Sequence, residues 1–278
     1  MDYVKPADVA KAMVETGSRK LTLSIPDLLI RGMLSGAILG VATSLAFNAS
    51  FTTGQPLVGA IIFPVGLVMI VLLGLELITG SFALLPLSWI NGETTASAVM
   101  ANWGWVFLGN LIGSVAYGAL LAISLTDMGA IAPTGIAARL IAAAEAKTTG
   151  YEALGFAGMV TVFVRAMLCN WMVCLAVVLA MSTTSTIGKI ATAWMPILIF
   201  FAQGFEHSVV NMFIIPTGMM MGAKVTVAQW WLWNQIPVTL GNFVGGFFFT
   251  GLAIYMTYGP RPAPAPVQVA TASQVPAE

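Results

Sequence analysis

The sequence predicts an all-α integral membrane protein, a six-span bundle of two inverted three-span halves whose second and fifth helices are broken. Three observations predict it. Apolar residues make up 58% of the 278 positions and charged residues only 8%, where a soluble domain carries roughly 25% charged residues; mean hydropathy is +0.91. Apolar runs long enough for a bilayer core, about 20 residues each, recur near 28–49, 57–88, 102–125, 155–182, 191–221 and 227–257. The second and fifth runs are too long for one straight helix, and each carries charge in mid-run: Glu76 in LGLELITGSF, and Glu206 with His207 in QGFEHSVVNMF.

The leader, residues 1–27, is polar and shows no secretory signal; the first apolar run begins only near Leu28. Within it, Val9, Ala12 and Met13 fall at helical spacing between charges, which predicts an amphipathic helix on the cytoplasmic membrane surface. The pore domain, 28–257, follows, with half-repeats of about 28–125 and 155–257. The linker 126–154 is read as a long loop. The fourth run holds both cysteines, Cys169 and Cys174, as buried thiols without metal-ligand spacing. In the fifth run Pro216 interrupts backbone hydrogen bonding that lipid cannot replace. Trp230, Trp231 and Trp233 in the last run suggest an interface belt. The tail, 258–278, is Pro/Ala-rich and is expected to be disordered and cytoplasmic.

Orientation follows from Lys and Arg near the span ends. Lys5, Lys11, Arg19, Lys20, Lys189 and Arg261 fall on one side, against Arg139, Lys147 and Lys224 on the other. Six against three places both termini in the cytoplasm of a cell whose inner (plasma) membrane the chain crosses. Formal net charge is zero, from 11 basic and 11 acidic residues, so no nucleic-acid surface is indicated.

The halves repeat. RGMLSG at 31 resembles RAMLCN at 165, GLELITGSF at 74 resembles GFEHSVVNMF at 204, and LGNLIG at 108 resembles LGNFVG at 240. The offsets are nearly constant, at 134, 130 and 132 (165 − 31, 204 − 74, 240 − 108). A half with three spans must re-insert upside down, so the broken spans meet from opposite sides near the midplane, where transport proteins build sites from half-helix ends. Gly74, Gly80 and Gly204 supply the backbone freedom for the breaks. Glu76 and Glu206 are expected to hold them by accepting backbone N–H groups. The Gly-Asn pairs, Gly109–Asn110 and Gly241–Asn242, allow close helix packing, with each Asn bonding nearby backbone.

The segments GFEHSVVNMFIIP (204–216), LCNWMVCLAV (168–177) and LELITG (75–80) resemble the formate/nitrite transporter family, over nearly the whole chain between leader and tail. The resemblance implies an aquaporin-like six-span protomer, a homopentamer with one pore per protomer, and transport of small monovalent anions with protons. Formate and nitrite come first; hydrosulfide, lactate or acetate is the alternative within the family. It implies that Thr79 faces the pore and His207, that Asn170 lies beside the pore, and that apolar constrictions lie on either side. Leu77 and Ile78 narrow the cytoplasmic side, Phe63 and Leu67 the periplasmic one, with Phe200 and Val173 as partners. The family's vestibule lysine, which draws anions in, matches Lys147; its 23 residues to Asn170 (170 − 147) exceed the family spacing and predict an added turn or loop. His207, with a reference pKa of about 6.5, is the candidate to protonate or hydrogen-bond the anion. No cofactor is implied. A membrane-embedded acid/base enzyme needs a second catalytic group or metal set, and the lone histidine and two cysteines do not supply one. No Asn-Pro-Ala signature of a water channel occurs.

Overall fold

The computed structural model describes residues 2–259, and among these the regular elements are helices. The expected tail lies outside the described residues apart from Tyr258 and Gly259. Eleven helices carry the fold: α1 Pro6–Leu21, α2 Ile25–Thr53, α3 Pro56–Leu72 and α4 Ile78–Ile90, α5 Ala96–Thr126, α6 Ile136–Ala146, α7 Thr149–Glu152, α8 Gly155–Met181, α9 Thr186–Ala202, α10 Ser208–Met220 and α11 Val227–Tyr258. Four of them, α2, α5, α8 and α11, are long and apolar enough to cross a membrane; α3, α4, α9 and α10 are shorter apolar helices. Two π-helical stretches, Trp231–Gln235 and Phe247–Leu252, lie within α11.

The long helices pack in two matching pairs, α2 on α5 and α8 on α11, through the repeated Gly-Asn segments. A Cβ on Gly113 would run into the Met33 carbonyl, and one on Gly245 into the Met167 carbonyl. Met33 and Met167 are themselves mates in the repeat. The absence of side chains at these positions lets the backbones touch.

The turns between the short helices are also built twice over. At the end of α3, Leu75 N–H bonds the Ile70 carbonyl at 3.0 Å and Gly74 N–H the Val71 carbonyl at 3.2 Å. At the end of α9, Phe205 bonds Phe200 at 3.2 Å and Gly204 bonds Phe201 at 3.1 Å. This pattern is a Schellman cap, which needs a left-handed residue; Gly74 has φ 61° and Gly204 φ 66°. The chain then runs extended through Leu77 and His207 before α4 and α10 begin.

Four expectations change. Gly80 lies in the first turn of α4 with its Cα facing Val177, so it serves packing and the turn belongs to Gly74. Pro216 sits in the middle of α10, past the break. The 126–154 linker contains α6, whose Leu140 and Ala144 are buried and whose backbone lies against Gly218 of α10. The apolar stripe of α1, Val9, Met13 and Val14, packs on Leu84, Leu85 and Leu87 of α4 and so faces protein. Residues before α1 bond the α8–α9 turn: Val4 N–H to Ser182 O at 2.8 Å and Thr184 N–H to Asp2 O at 3.0 Å.

Candidate functional site

The breaks before α4 and α10 are each held by one asparagine. Asn110 Oδ1 accepts Ile78 N–H at 3.1 Å, while its Nδ2 donates to the Glu76 and Gly32 carbonyls, both at 2.9 Å. Asn242 repeats the arrangement with Ser208 N–H at 2.8 Å, Glu206 O at 2.9 Å and Ala166 O at 2.8 Å. A helix start buried away from water leaves N–H groups that need partners, and a primary amide offers an acceptor and two donors on one side chain.

The carboxylates do something other than expected. Glu206 accepts from three side chains: Lys147 Nζ at 2.7 Å, Asn211 Nδ2 at 2.7 Å and Tyr151 Oη at 2.8 Å. Arg165 Nη1 donates to Tyr151 Oη at 3.0 Å, which ties the repeat arginine into the same network. Glu76 accepts both of its bonds from Lys20 Nζ, at 2.7 and 2.8 Å. Each half therefore buries one Lys–Glu pair beside its break, with both carboxylates 3% exposed or less.

Between the breaks, Thr79 Oγ1 and His207 Nε2 lie 3.0 Å apart, both buried. His207 also caps α10: its Nδ1 accepts Val210 N–H at 3.2 Å. A neutral imidazole carries one N–H, so an accepting Nδ1 puts the proton on Nε2, which donates to Thr79 Oγ1. The Thr79 hydroxyl hydrogen is then free to point at a third group. The Thr79 carbonyl is held from behind by Asn170 Nδ2 at 3.0 Å and Cys174 Sγ at 3.2 Å. Asn170 also donates to the Asn242 carbonyl at 2.7 Å, so it links the Thr79 turn to the opposite half and makes no bond to His207.

The expected constriction residues Phe63, Leu67, Leu77, Ile78, Val173 and Phe200 are buried in one apolar cluster. Phe200 stacks on His207 with centroids 5.8 Å apart, and Phe63 meets Phe200 edge-on at 5.7 Å. A cavity of about 630 Å³ opens beside the Lys20–Glu76 pair. Leu67 and Leu77 both line it. Arg19, Arg31 and Lys189 also line it.

The site thus brings together Thr79, His207, Asn170 and the constriction residues, and places Lys147 on Glu206. Lys20, Tyr151, Asn211, Asn234 and Asn102 were not foreseen as partners. A signal for two of them was present: Asn102 and Asn234 each stand eight residues before the asparagine of a Gly-Asn pair (110 − 102, 242 − 234). Tyr151 has no such mark.

Two short apolar helices that start at a shared buried polar pair, beside four helices long and apolar enough to cross a membrane, point to a membrane transport protein. The formate/nitrite transporter family profile matches residues 7–256. A probable formate transporter of Methanothermobacter thermautotrophicus is 37% identical over 273 residues, covering 92% of this chain and 97% of its own. A formate channel of Bacillus thuringiensis is 31% identical, covering 93% and 97%. Among solved structures, an FNT family ion channel superposes with a TM-score of 0.78 at 29% identity, covering 90% of this chain and 98% of its own. A pentameric formate channel with formate bound gives 0.67 at 25%, covering 84% and 97%. The chain belongs to the formate/nitrite transporter family, whose members found here are channels and transporters rather than enzymes.

Proposed function

We propose that the protein is an inner-membrane channel for small monovalent anions, formate or nitrite, working as a homopentamer with one pore per protomer and both termini in the cytoplasm. The names of its relatives support the substrate class, and the pentameric formate channel supports the assembly. In this reading α3 and α4 form one broken span and α9 and α10 another, giving six spans in two inverted halves. The mouth lined by Lys20 faces the cytoplasm and the Lys147 side faces outward.

The observation that carries the reading is the buried Thr79–His207 bond between two helix starts. On the idealised Born scale, a lone anion in an apolar slit costs of order tens of kcal/mol. The N-terminal ends of α4 and α10 offset part of that with their positive dipole ends. The Thr79 hydroxyl supplies a donor whose oxygen is already engaged by His207 Nε2–H. Protonating His207 fully requires Nδ1 to give up Val210 N–H and uncap α10. The geometry therefore favours His207 as a polarising hydrogen-bond donor, passing partial positive charge to the anion through Thr79, over a standing imidazolium.

Proteoliposome flux with formate, nitrite, hydrosulfide and lactate, across a range of pH, tests this. Thr79→Val should cut anion flux about tenfold or more, in line with roughly 1.5–3 kcal/mol for a hydrogen bond to a charged group. His207→Phe should change selectivity or pH dependence. Unchanged flux and selectivity in His207→Phe at every pH overturns the proposed role. Preference for hydrosulfide or lactate over formate and nitrite would reassign the substrate within the family.

A further inference from the structure

The two halves hold their ion pairs through matched positions, but two donors to Glu206, Tyr151 and Asn211, have no counterpart at Glu76. In the second half, Asn211 Nδ2 donates to Glu206 Oε2 at 2.7 Å and to Asn234 Oδ1 at 2.9 Å. Asn234 Nδ2 donates to the Lys147 carbonyl at 2.9 Å, and Lys147 Nζ returns to Glu206 at 2.7 Å, closing a ring. The first half places Lys20, Glu76 and Asn102 in the same roles: Lys20 Nζ bonds Glu76, and Asn102 Nδ2 donates to the Lys20 carbonyl at 3.0 Å.

The mate of Asn211 is Ser81, at the same offset of 130 that relates Glu76 to Glu206 (211 − 81, 206 − 76). Serine is one atom shorter and brings one hydrogen where the amide brings two. Ser81 Oγ and Asn102 Oδ1 are both buried without a hydrogen-bond partner. Glu76 keeps Lys20 as its only donor among the described residues, where Glu206 has three. Trp103, next to Asn102, packs edge-on against Phe82, next to Ser81, with centroids 5.0 Å apart, so the two segments face each other here as their mates do.

We propose that one buried water bridges Glu76, Ser81 and Asn102, standing in for the Asn211 amide of the other half. The hydrogens balance. The water donates one to Glu76 and one to Asn102 Oδ1, as the amide NH₂ does, and accepts the Ser81 hydroxyl hydrogen. Three polar partners is the usual number for a buried water. A cation fits less well, because the Lys20 ammonium already neutralises Glu76. Lys20, Glu76 and Gly80, the neighbour of Ser81, line the cavity, so the Glu76 side of the site borders it. A water exchanges and an amide does not, so Lys20–Glu76 is the looser of the two pairs.

The test is an experimental structure of the full chain, at a resolution that shows ordered water, for wild type and for Ser81→Asn. Melting temperatures of Ser81→Asn and the reciprocal Asn211→Ser accompany it. Wild type should show a density peak within hydrogen-bond reach of Ser81 Oγ, Asn102 Oδ1 and Glu76. Ser81→Asn should lose the peak to its own amide and melt at or above wild type, while Asn211→Ser melts below it. Wild-type density empty between those atoms overturns the proposal, and so does a peak at metal–oxygen distance. The wild-type map decides the matter even if Ser81→Asn fails to fold. A Ser81→Asn protein that keeps the peak, or melts as low as Asn211→Ser, also counts against it.

Discussion

Asn110 and Asn242 each bond three backbone groups: an N–H and a carbonyl at the break, and a carbonyl inside the neighbouring long helix, Gly32 of α2 or Ala166 of α8. No other single side chain at the breaks does as much. Asn242→Leu keeps the branched shape and removes every bond. It should destabilise the protein by about 2–5 kcal/mol, since each buried orphan costs roughly 1–3 kcal/mol and neighbouring losses are not additive. The drop in melting temperature of the purified protein checks it. Asn102→Leu, which loses one bond to the Lys20 carbonyl and the one proposed from the bridging water, should fall less. At the same scale the proton position on His207 is set by a helix cap: Nδ1 must stay unprotonated to hold Val210 N–H. Residue type announced that His207 could titrate; only its bonds say which nitrogen carries the hydrogen.

At the scale of elements, the device worth testing is the turn that ends α3 and α9. Gly74 and Gly204 both take left-handed φ, and a Cβ at either meets nothing within 4 Å. Their requirement is conformational and not one of space. Gly204→Ala should cost about 1–2 kcal/mol from the left-handed penalty, and Gly204→Asn less, because asparagine tolerates that region. Equal melting temperatures for the two variants would remove the conformational explanation. The glycines of the Gly-Asn segments behave oppositely. Gly245→Ala drives a methyl into the Met167 carbonyl and should separate α8 from α11. Gly104→Ala, in a helix with open space around it, should be neutral or gain up to about 1 kcal/mol of helix propensity. Thermal melts of the pair decide this.

Over the whole molecule, the two halves repeat their chemistry as well as their helices. Each buries a Lys–Glu pair, 2.7 Å between Nζ and Oε2 in both. Lys147→Met leaves the Glu206 charge buried with only neutral donors and should cost about 3–5 kcal/mol. Adding Glu206→Gln removes the stranded charge, so the double variant should melt above Lys147→Met. Lys20→Met shares no partner with Lys147→Met, and their effects should add to within about 0.5 kcal/mol. A double variant no more stable than Lys147→Met alone would show that the pair is held for some reason other than charge balance.

Much of this was legible beforehand, and the part that was not has a common cause. Apolar runs, their lengths, the repeat at offsets of 130 to 134, the glycine at each turn and the lone His207 are local or periodic properties, readable one stretch at a time. The sequence points Glu206 at backbone, whereas it bonds Lys147, Tyr151 and Asn211, and it presents Lys20 only as a charge at the membrane face, whereas Lys20 bonds Glu76. Most of these partners lie far away in the chain, 56 residues for Lys20 and Glu76 and 59 for Lys147 and Glu206; only Asn211 is near, five residues from Glu206. Hydrophobic pattern decides which segments are buried, because burial follows from the side chain's own transfer free energy. Which buried polar groups meet is decided by how the segments pack, since a donor and acceptor must come within about 3 Å before either has a preference. By itself the sequence determined an apolar, duplicated, twice-interrupted chain with one histidine at an interruption. The tertiary structure alone decided which nitrogen of that histidine faces Thr79, which lysine pairs with each buried glutamate, and which backbone groups Asn110 and Asn242 hold at the interruptions.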